Sequence, residues 1–389
     1  MEDAEWECTV EAPVNIALVK YWGKRDSELI LPYNDSVSLT LDEEKLGTRT
    51  TVRYSASYEE DSLVLNGKPT VISSRLSNVI EEIRRAFRKH AVRIKMNAQD
   101  LMSMSRYRFR IETNNKMPTA AGLASSASGM ACITFALCTA LGITESVDMS
   151  QLARLGSGSA CRSIHGGLVQ WEAGKEEDGS DSLAKQIYPA STWPELKFIV
   201  LVVDGEKKKV GSTEGMQRSM ATSEYMLLRP KQCKDRIQEV CWAFQAKLFP
   251  ALAEVIIKDS NTLHAICRDS YPPVNYLTRT SEALIDFVHR LNEALGDVCV
   301  AYTFDAGPNC FVIFEEKHES LLMWLLLHTF IENDVIDPTI HRQPKWDDDE
   351  LAKYTAIIDE FSNYRNSVKS YYETTVGSGP KVVNAPRLI

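Results

Sequence analysis

The sequence predicts a two-lobed α+β fold. Its 389 residues are comfortable for two hydrophobic cores and long for one. The first half reads as strands with two inserted helices, and the second mixes amphipathic helices with apolar strands. A turn-rich stretch, Ser191-Thr192-Trp193-Pro194, separates the halves and sets the expected boundary between a first lobe over 1–193 and a second over 194–389.

In chain order, residues 6–12 read as a strand, and the SVSLTL run at 36–41 alternates with the period of another. Leu76, Val79, Ile80, Ile83 and Phe87 keep helical spacing behind a serine cap at Ser73 or Ser74. The YRFRI run at 107–111 alternates again, and the apolar run 198–203 opens the second lobe as a strand. Ala283, Leu284, Phe287, Val288, Leu291 and Leu295 mark an amphipathic helix that Gly296 ends. Strands at 298–304 and 310–314 then flank the tight DAGPN sequence at 305–309 and would present Asp305 on a rim. Each apolar stripe is core by default. There is no internal repeat, low-complexity segment or coiled coil.

Hydrophobic content of 44% and charged content of 25% exclude wholesale disorder. A net charge of -9 gives no global positive field for nucleic acid or an anionic membrane, although a local basic pocket could still hold an anionic metabolite. Nine cysteines without a C-x-x-C pair point to reduced thiols rather than a zinc ribbon or a disulfide scaffold. The acidic start lacks the features of a signal or transit peptide, the apolar run 321–327 is too short to span a bilayer, and the final residues are not S-K-L. The expected compartment is the cytosol. His165, His264 and His289 fit no metal-binding spacing, Cys161 has no histidine motif to activate it, and Tyr21 with Trp22 reads as core or pocket packing rather than a base-stacking platform.

The chemistry begins at PTAAGLASSASG, residues 118–129, which leads into the apolar run 130–141. Small residues let a backbone approach a ligand closely, and free N–H groups at a helix start favour an anion. Ser125, Ser126 and Ser128 could add hydroxyls to phosphate oxygens or magnesium. The spacing is not that of a P-loop, and taken alone the segment is equally a close helix contact with serine capping.

This segment resembles the phosphate loop of the GHMP kinase superfamily, P-x-x-x-G-L-x-S-S-A, at every fixed position. Within that superfamily the chain resembles the mevalonate diphosphate decarboxylases more closely than the simple kinases. Three further motifs agree in order: APVNIALVKYWGK at 12–24, GSGSACRS at 156–163 and YTFDAGPN at 302–309. Glu206-Lys207-Lys208 and the late VGSGP at 376–380 also look like that family. The resemblance implies a GHMP kinase fold, with a first lobe like ribosomal protein S5, a ferredoxin-like second lobe and the active site in the cleft between them.

It also assigns residues. Asp305, which in a Gly-Pro turn would otherwise only bond its own backbone, becomes the catalytic aspartate that accepts the C3 hydroxyl proton. Arg162, by default a surface ion-pair partner, becomes the fork for the substrate carboxylate. Asn15 helps to position that arginine and the substrate. Lys20, Tyr21, Lys24, Ser157 and Ser159 fall to the substrate diphosphate and its surroundings. Gly122, Leu123, Ala124, Ser125, Ser126, Ala127 and Ser128 fall to ATP, with Lys208, although Lys207, Lys208 and Lys209 together also read as a solvated face. Lys68, Ser74 and Arg75 are the candidates for adenine. No magnesium ligand is identified.

The implied reaction is ATP-dependent decarboxylation of mevalonate 5-diphosphate to isopentenyl diphosphate, with ATP and Mg2+ and without pyridoxal phosphate or thiamine diphosphate. The implied assembly is a homodimer, with no nucleic-acid or membrane partner. The rivals are a small-molecule kinase that stops after phosphoryl transfer and a catalytically silent relative that binds a metabolite.

Overall fold

The computed structural model describes residues 4–44, 46–116, 125–203, 208–331 and 346–389. The first half runs β1 (Trp6–Pro13), β2 (Asn15–Val19), β3 (Lys24–Asp26), β4 (Leu31–Pro32), β5 (Ser36–Thr40), β6 (Gly47–Ser55), β7 (Ser62–Leu65), β8 (Lys68–Thr70), α1 (Ser74–Arg93), α2 (Ala98–Ser105), β9 (Arg108–Asn115), α3 (Ser125–Ala140), α4 (Met149–Gly156), β10 (Leu168–Trp171) and β11 (Ala184–Tyr188). The second runs β12 (Leu196–Val202), α5 (Ser212–Thr222), α6 (Arg229–Gln245), α7 (Phe249–Asp269), α8 (Arg279–Leu295), β13 (Val300–Phe304), β14 (Cys310–Glu315), α9 (Glu319–Thr329), α10 (Asp348–Glu360), β15 (Ser370–Thr375) and β16 (Lys381–Leu388).

Two larger sheets build the first lobe, one in the order β16-β1-β6-β9-β7-β8 and one in the order β11-β10-β5-β2, beside the short ribbon β3-β4. The second lobe has the sheet β13-β14-β12-β15. The final strand β16 leaves the second half and pairs antiparallel with β1, so the chain closes on itself. Under the first sheet, Val10 and Val52 pack on Ile83 and Phe87 of α1 and Leu137 of α3. A larger core joins the lobes, because Ile16, Leu18, Val37 and Leu39 share it with Phe198, Ile256, Phe287 and Leu326. Burial of each such side chain contributes roughly 1.5–3 kcal/mol. Among the described residues no helix is long and apolar enough to cross a membrane.

Some local expectations shift. The first half carries α2 and α4 besides the two expected helices; each has eight residues, barely two turns, too few for a periodic stripe to stand out. Ser73, not Ser74, caps α1, its hydroxyl accepting from the Leu76 N–H. The segment 321–327 lies within the helix α9. β13 starts at Val300 rather than 298, because the N–H groups of Cys299 and Val300 both donate to the buried Asn292 side chain. Gly296 ends α8 in the left-handed conformation, φ +74°, as its sequence position predicts.

Candidate active site

A cavity of about 270 Å³ opens between the lobes. Its first-lobe wall comes from β2 and the segment after it, from the start of α1 and α3, and from a 3-10 stretch, Gly158–Ile164, that follows α4. The second lobe contributes Lys208, the start of α5, Leu263 of α7 and the turn at Asp305. Five basic side chains, Lys20, Lys24, Arg75, Arg162 and Lys208, line the cavity together with one carboxylate, Asp305. A chain of net charge -9 thus holds a concentrated positive pocket, the setting for a polyanionic ligand.

Arg162 is buried and held at three points. Its Nε donates to Asn15 Oδ1 at 3.3 Å and to Ser38 Oγ at 3.1 Å, and Nη1 donates to Ser36 Oγ at 2.8 Å. The alternation of β5 makes this possible, since residues two apart point to one face of a strand. Asn15 in turn donates to the Ser159 carbonyl at 3.0 Å and to Ser163 Oγ at 2.8 Å. The side chain is therefore fixed by neutral acceptors, and no carboxylate among these partners competes for its charge.

Asp305 sits in the turn between β13 and β14, with 44% of its side chain open to the cavity. Lys20, whose side chain is 2% exposed, places its ammonium 2.8 Å from Asp305 Oδ1. Burial alone would raise the carboxyl, but Lys20, followed by Arg162 and Lys208, outweighs it and holds Asp305 below the ordinary carboxylate range. Lys20, assigned from sequence to the substrate diphosphate and its surroundings, sets its ammonium on the aspartate from the end of β2. Burial lowers Lys208, which Asp305 opposes, and Lys208 lies beside Gly307 of the same turn. His264 of α7 is pulled down to about 3 by burial and by Lys20, so it is neutral behind the pair.

Tyr21 turns the other way, against Trp171 with ring centroids 4.7 Å apart, and its buried hydroxyl has no partner among the described residues. Gly158 makes room for that ring: a Cβ there would lie 2.9 Å from the Tyr21 hydroxyl. Lys24, Ser157 and Ser159 also line the cavity, and burial lowers Lys24, with Arg75 adding to the effect. Arg75, an adenine candidate from sequence, is thereby placed in the cationic wall, whereas Lys68 and Ser74 do not line the cavity.

Of the phosphate loop, Gly122, Leu123 and Ala124 lie outside the described residues, as do Glu206 and Lys207; Ser125 begins α3. Ser126 lines the cavity. Ala127 and Ser128 depart from the expectation of ATP contact: both are buried, and the Ser128 hydroxyl meets Thr48 of β6 at 2.8 Å, on the face of α3 that packs against the sheet. Burial pushes the Cys161 thiol up to about 12, so it supplies no nucleophile. The late VGSGP segment stitches rather than binds, with the Gly377 N–H on the Thr40 carbonyl and the Gly167 N–H on the Gly377 carbonyl.

No group of three or more metal-ligating side chains occurs among the described residues. The Ser126 hydroxyl and the Asp305 carboxylate are oxygen donors of the kind magnesium takes when phosphates supply its other ligands. Sequence reasoning missed Ser36 and Ser38, legible only as the polar face of a strand, and Ser212 and Thr213, which line the cavity from the start of α5.

Residues 12–184 match the model of the diphosphomevalonate decarboxylase-like N-terminal domain, and 198–383 match that of the mevalonate 5-diphosphate decarboxylase C-terminal domain. The chain is 42% identical to the diphosphomevalonate decarboxylase of Rattus norvegicus over 384 residues, covering 97% of this chain and 94% of that one. It superposes on the mevalonate diphosphate decarboxylase from Trypanosoma brucei with a TM-score of 0.85 at 34% identity, covering 97% of this chain and 98% of that one. The structure of MDDEF in complex with MVAPP, AMPPCP and magnesium matches with a TM-score of 0.74 at 32% identity, covering 98% of this chain and all (100%) of that one.

Proposed function

Because this chain belongs to the diphosphomevalonate decarboxylase family, with the GHMP kinase fold, we propose that its interlobe cavity performs the ATP-dependent decarboxylation of mevalonate 5-diphosphate. The observation that carries this reading is the pairing of an accessible, ionised Asp305 with a buried Arg162 held ready on neutral partners. The substrate carboxylate goes to Arg162 and its diphosphate to Lys24, Arg75, Tyr21, Ser157 and Ser159. ATP lies toward Ser126 and Lys208. Ser126 would be among the oxygen donors to a magnesium ion carried on the nucleotide, which would supply charge neutralisation on the phosphates.

Asp305 orients the C3 hydroxyl toward the γ-phosphorus. A carboxylate of low proton affinity is a weak base in the ground state, so its proton transfer belongs late, when the oxygen is already bonding to phosphorus and its hydrogen has become acidic. The tertiary phosphate then leaves with the C3–O pair. The C–CO2 bonding electrons form the new double bond, giving isopentenyl diphosphate, ADP, phosphate and carbon dioxide. Family resemblance, rather than anything in this cavity, supports a homodimer in the cytosol.

The test is to incubate the protein with mevalonate diphosphate and MgATP while following ADP and carbon dioxide together. Equal yields are expected. ADP without carbon dioxide would make it a small-molecule kinase, and neither product would make it a silent binder.

A further inference from the structure

Lys20 is gripped at its main chain as well as at its ammonium. Its N–H donates to Asp259 Oδ2 at 2.7 Å, and its carbonyl accepts from Arg229 Nη2 and Asn34 Nδ2, both at 3.0 Å. Asp259 of α7 and Arg229 of α6 are fully buried and joined by a fork of 2.9 and 3.3 Å. Arg236 adds a bond to Asp259 Oδ1 at 2.7 Å. Neither Asp259 nor Arg229 lines the cavity. We propose that the Asp259–Arg229 pair is a positioning device by which the second lobe fixes the main chain of Lys20 and so sets its ammonium on Asp305.

The need for such a device follows from the strand. β2 ends at Val19, so the polar main-chain groups of Lys20 emerge from the ladder in a buried place and require partners. A buried ion pair is a weak source of stability, but each member here uses a remaining bonding direction on the same residue, one on its donor and one on its acceptor. Two residues later, Trp22 Nε1 donates to the buried Ser219 of α5 at 3.0 Å. The segment is thus fastened to the second lobe on both sides of Tyr21. Around Asp305 the other charged or titratable groups are Arg162 from the 3-10 stretch, Lys208, and the neutral His264 of α7. A displaced Lys20 therefore removes the cation that most strongly favours the ionised carboxylate.

This inference rests on Asp305 as the reacting carboxylate, which Asp305→Asn tests by itself. Arg229→Lys keeps the buried charge balanced but cannot make the fork to Asp259 and the bond to the Lys20 carbonyl together. In that variant kcat should fall about 10- to 100-fold, as for a small misplacement of a catalytic group. KM for both substrates should stay within about threefold, and the acidic limb of the kcat profile should move to higher pH. Asp259→Asn should do the same at a larger loss of stability; if it does not fold, Arg229→Lys decides. A folded Arg229→Lys enzyme with wild-type kcat and acidic limb overturns the proposal. So does a loss of kcat with an unmoved limb, which would make the pair structural only. An active Asp305→Asn enzyme would remove the active-site reading beneath it.

Discussion

In the reaction proposed here Asp305 has two opposed tasks: it must stay ionised in a partly closed cavity and yet take a proton. The Lys20 contact at 2.8 Å secures the first and makes the second late, so removing the carboxylate should stop the reaction at its first chemical step. Asp305→Asn keeps volume and turn, and kcat should drop by about 10²–10⁴-fold, the usual contribution of a general base. Rapid-quench measurement should show ADP and carbon dioxide lost in equal proportion; ADP formed at the wild-type rate without carbon dioxide would place Asp305 after phosphorylation. Arg162→Gln should lose most of kcat/KM, since a neutral amide cannot replace the fork and leaves Ser36 and Ser38 without their donor. Lys208 gives a pH prediction. Its burial-lowered ammonium loses its proton earlier as pH rises, so KM for ATP should climb below the ordinary lysine range, and Lys208→Arg should abolish that climb. None of these roles could be read from single residues, because an aspartate in a Gly-Pro turn and an arginine near serines have commoner uses; the ordered motifs carried the assignment.

At the scale of elements, the 3-10 stretch after α4 lets Arg162 and Tyr21 occupy neighbouring space. Gly158 opens it, and a Cβ there would stand 2.9 Å from Tyr21 and 3.0 Å from the Trp171 ring. Gly158→Ala should therefore press Tyr21 into the cavity, raising KM for mevalonate diphosphate while costing about 1–3 kcal/mol of stability by overpacking. Steady-state kinetics with thermal unfolding checks both, and unchanged KM would show that Tyr21 has room to retreat. Period-two strands such as β5 and the long amphipathic α1 and α8 were legible in the sequence because their stripes repeat often enough to stand out. The inward role of Ser36 and Ser38 was not, since their partner Arg162 lies far along the chain. The same holds for Asp259 and Arg229: nothing local to α6 or α7 distinguishes an ion pair on the surface from one that holds Lys20.

For the whole molecule, the boundary at 193/194 separates sequence patterns more cleanly than it separates cores. Ile16, Leu18 and Val37 of the first half lie in the cluster of Phe198, Ile256 and Phe287, and β16 crosses back to complete the sheet of β1. A fragment of residues 1–193 would lack β16 and expose one side of β2 and β5, so it should not fold alone. Asp259 adds a pH-dependent fastening. Its native carboxyl, pushed up by burial but held down overall by Arg229, lies below its unfolded value. The resulting stability is complete above the ordinary carboxylate range and is lost as pH falls through that range toward the depressed native value. With shared core, shared sheet and the buried pair's bonds to the Lys20 main chain all crossing the boundary, neither lobe can lose structure without exposing the other. Scanning calorimetry at neutral pH should accordingly give one transition, and acidification should lower its midpoint without splitting it. Two resolved transitions, one abolished by removing residues 194–389, would show that the lobes are independent and that the shared core contributes less than its burial indicates.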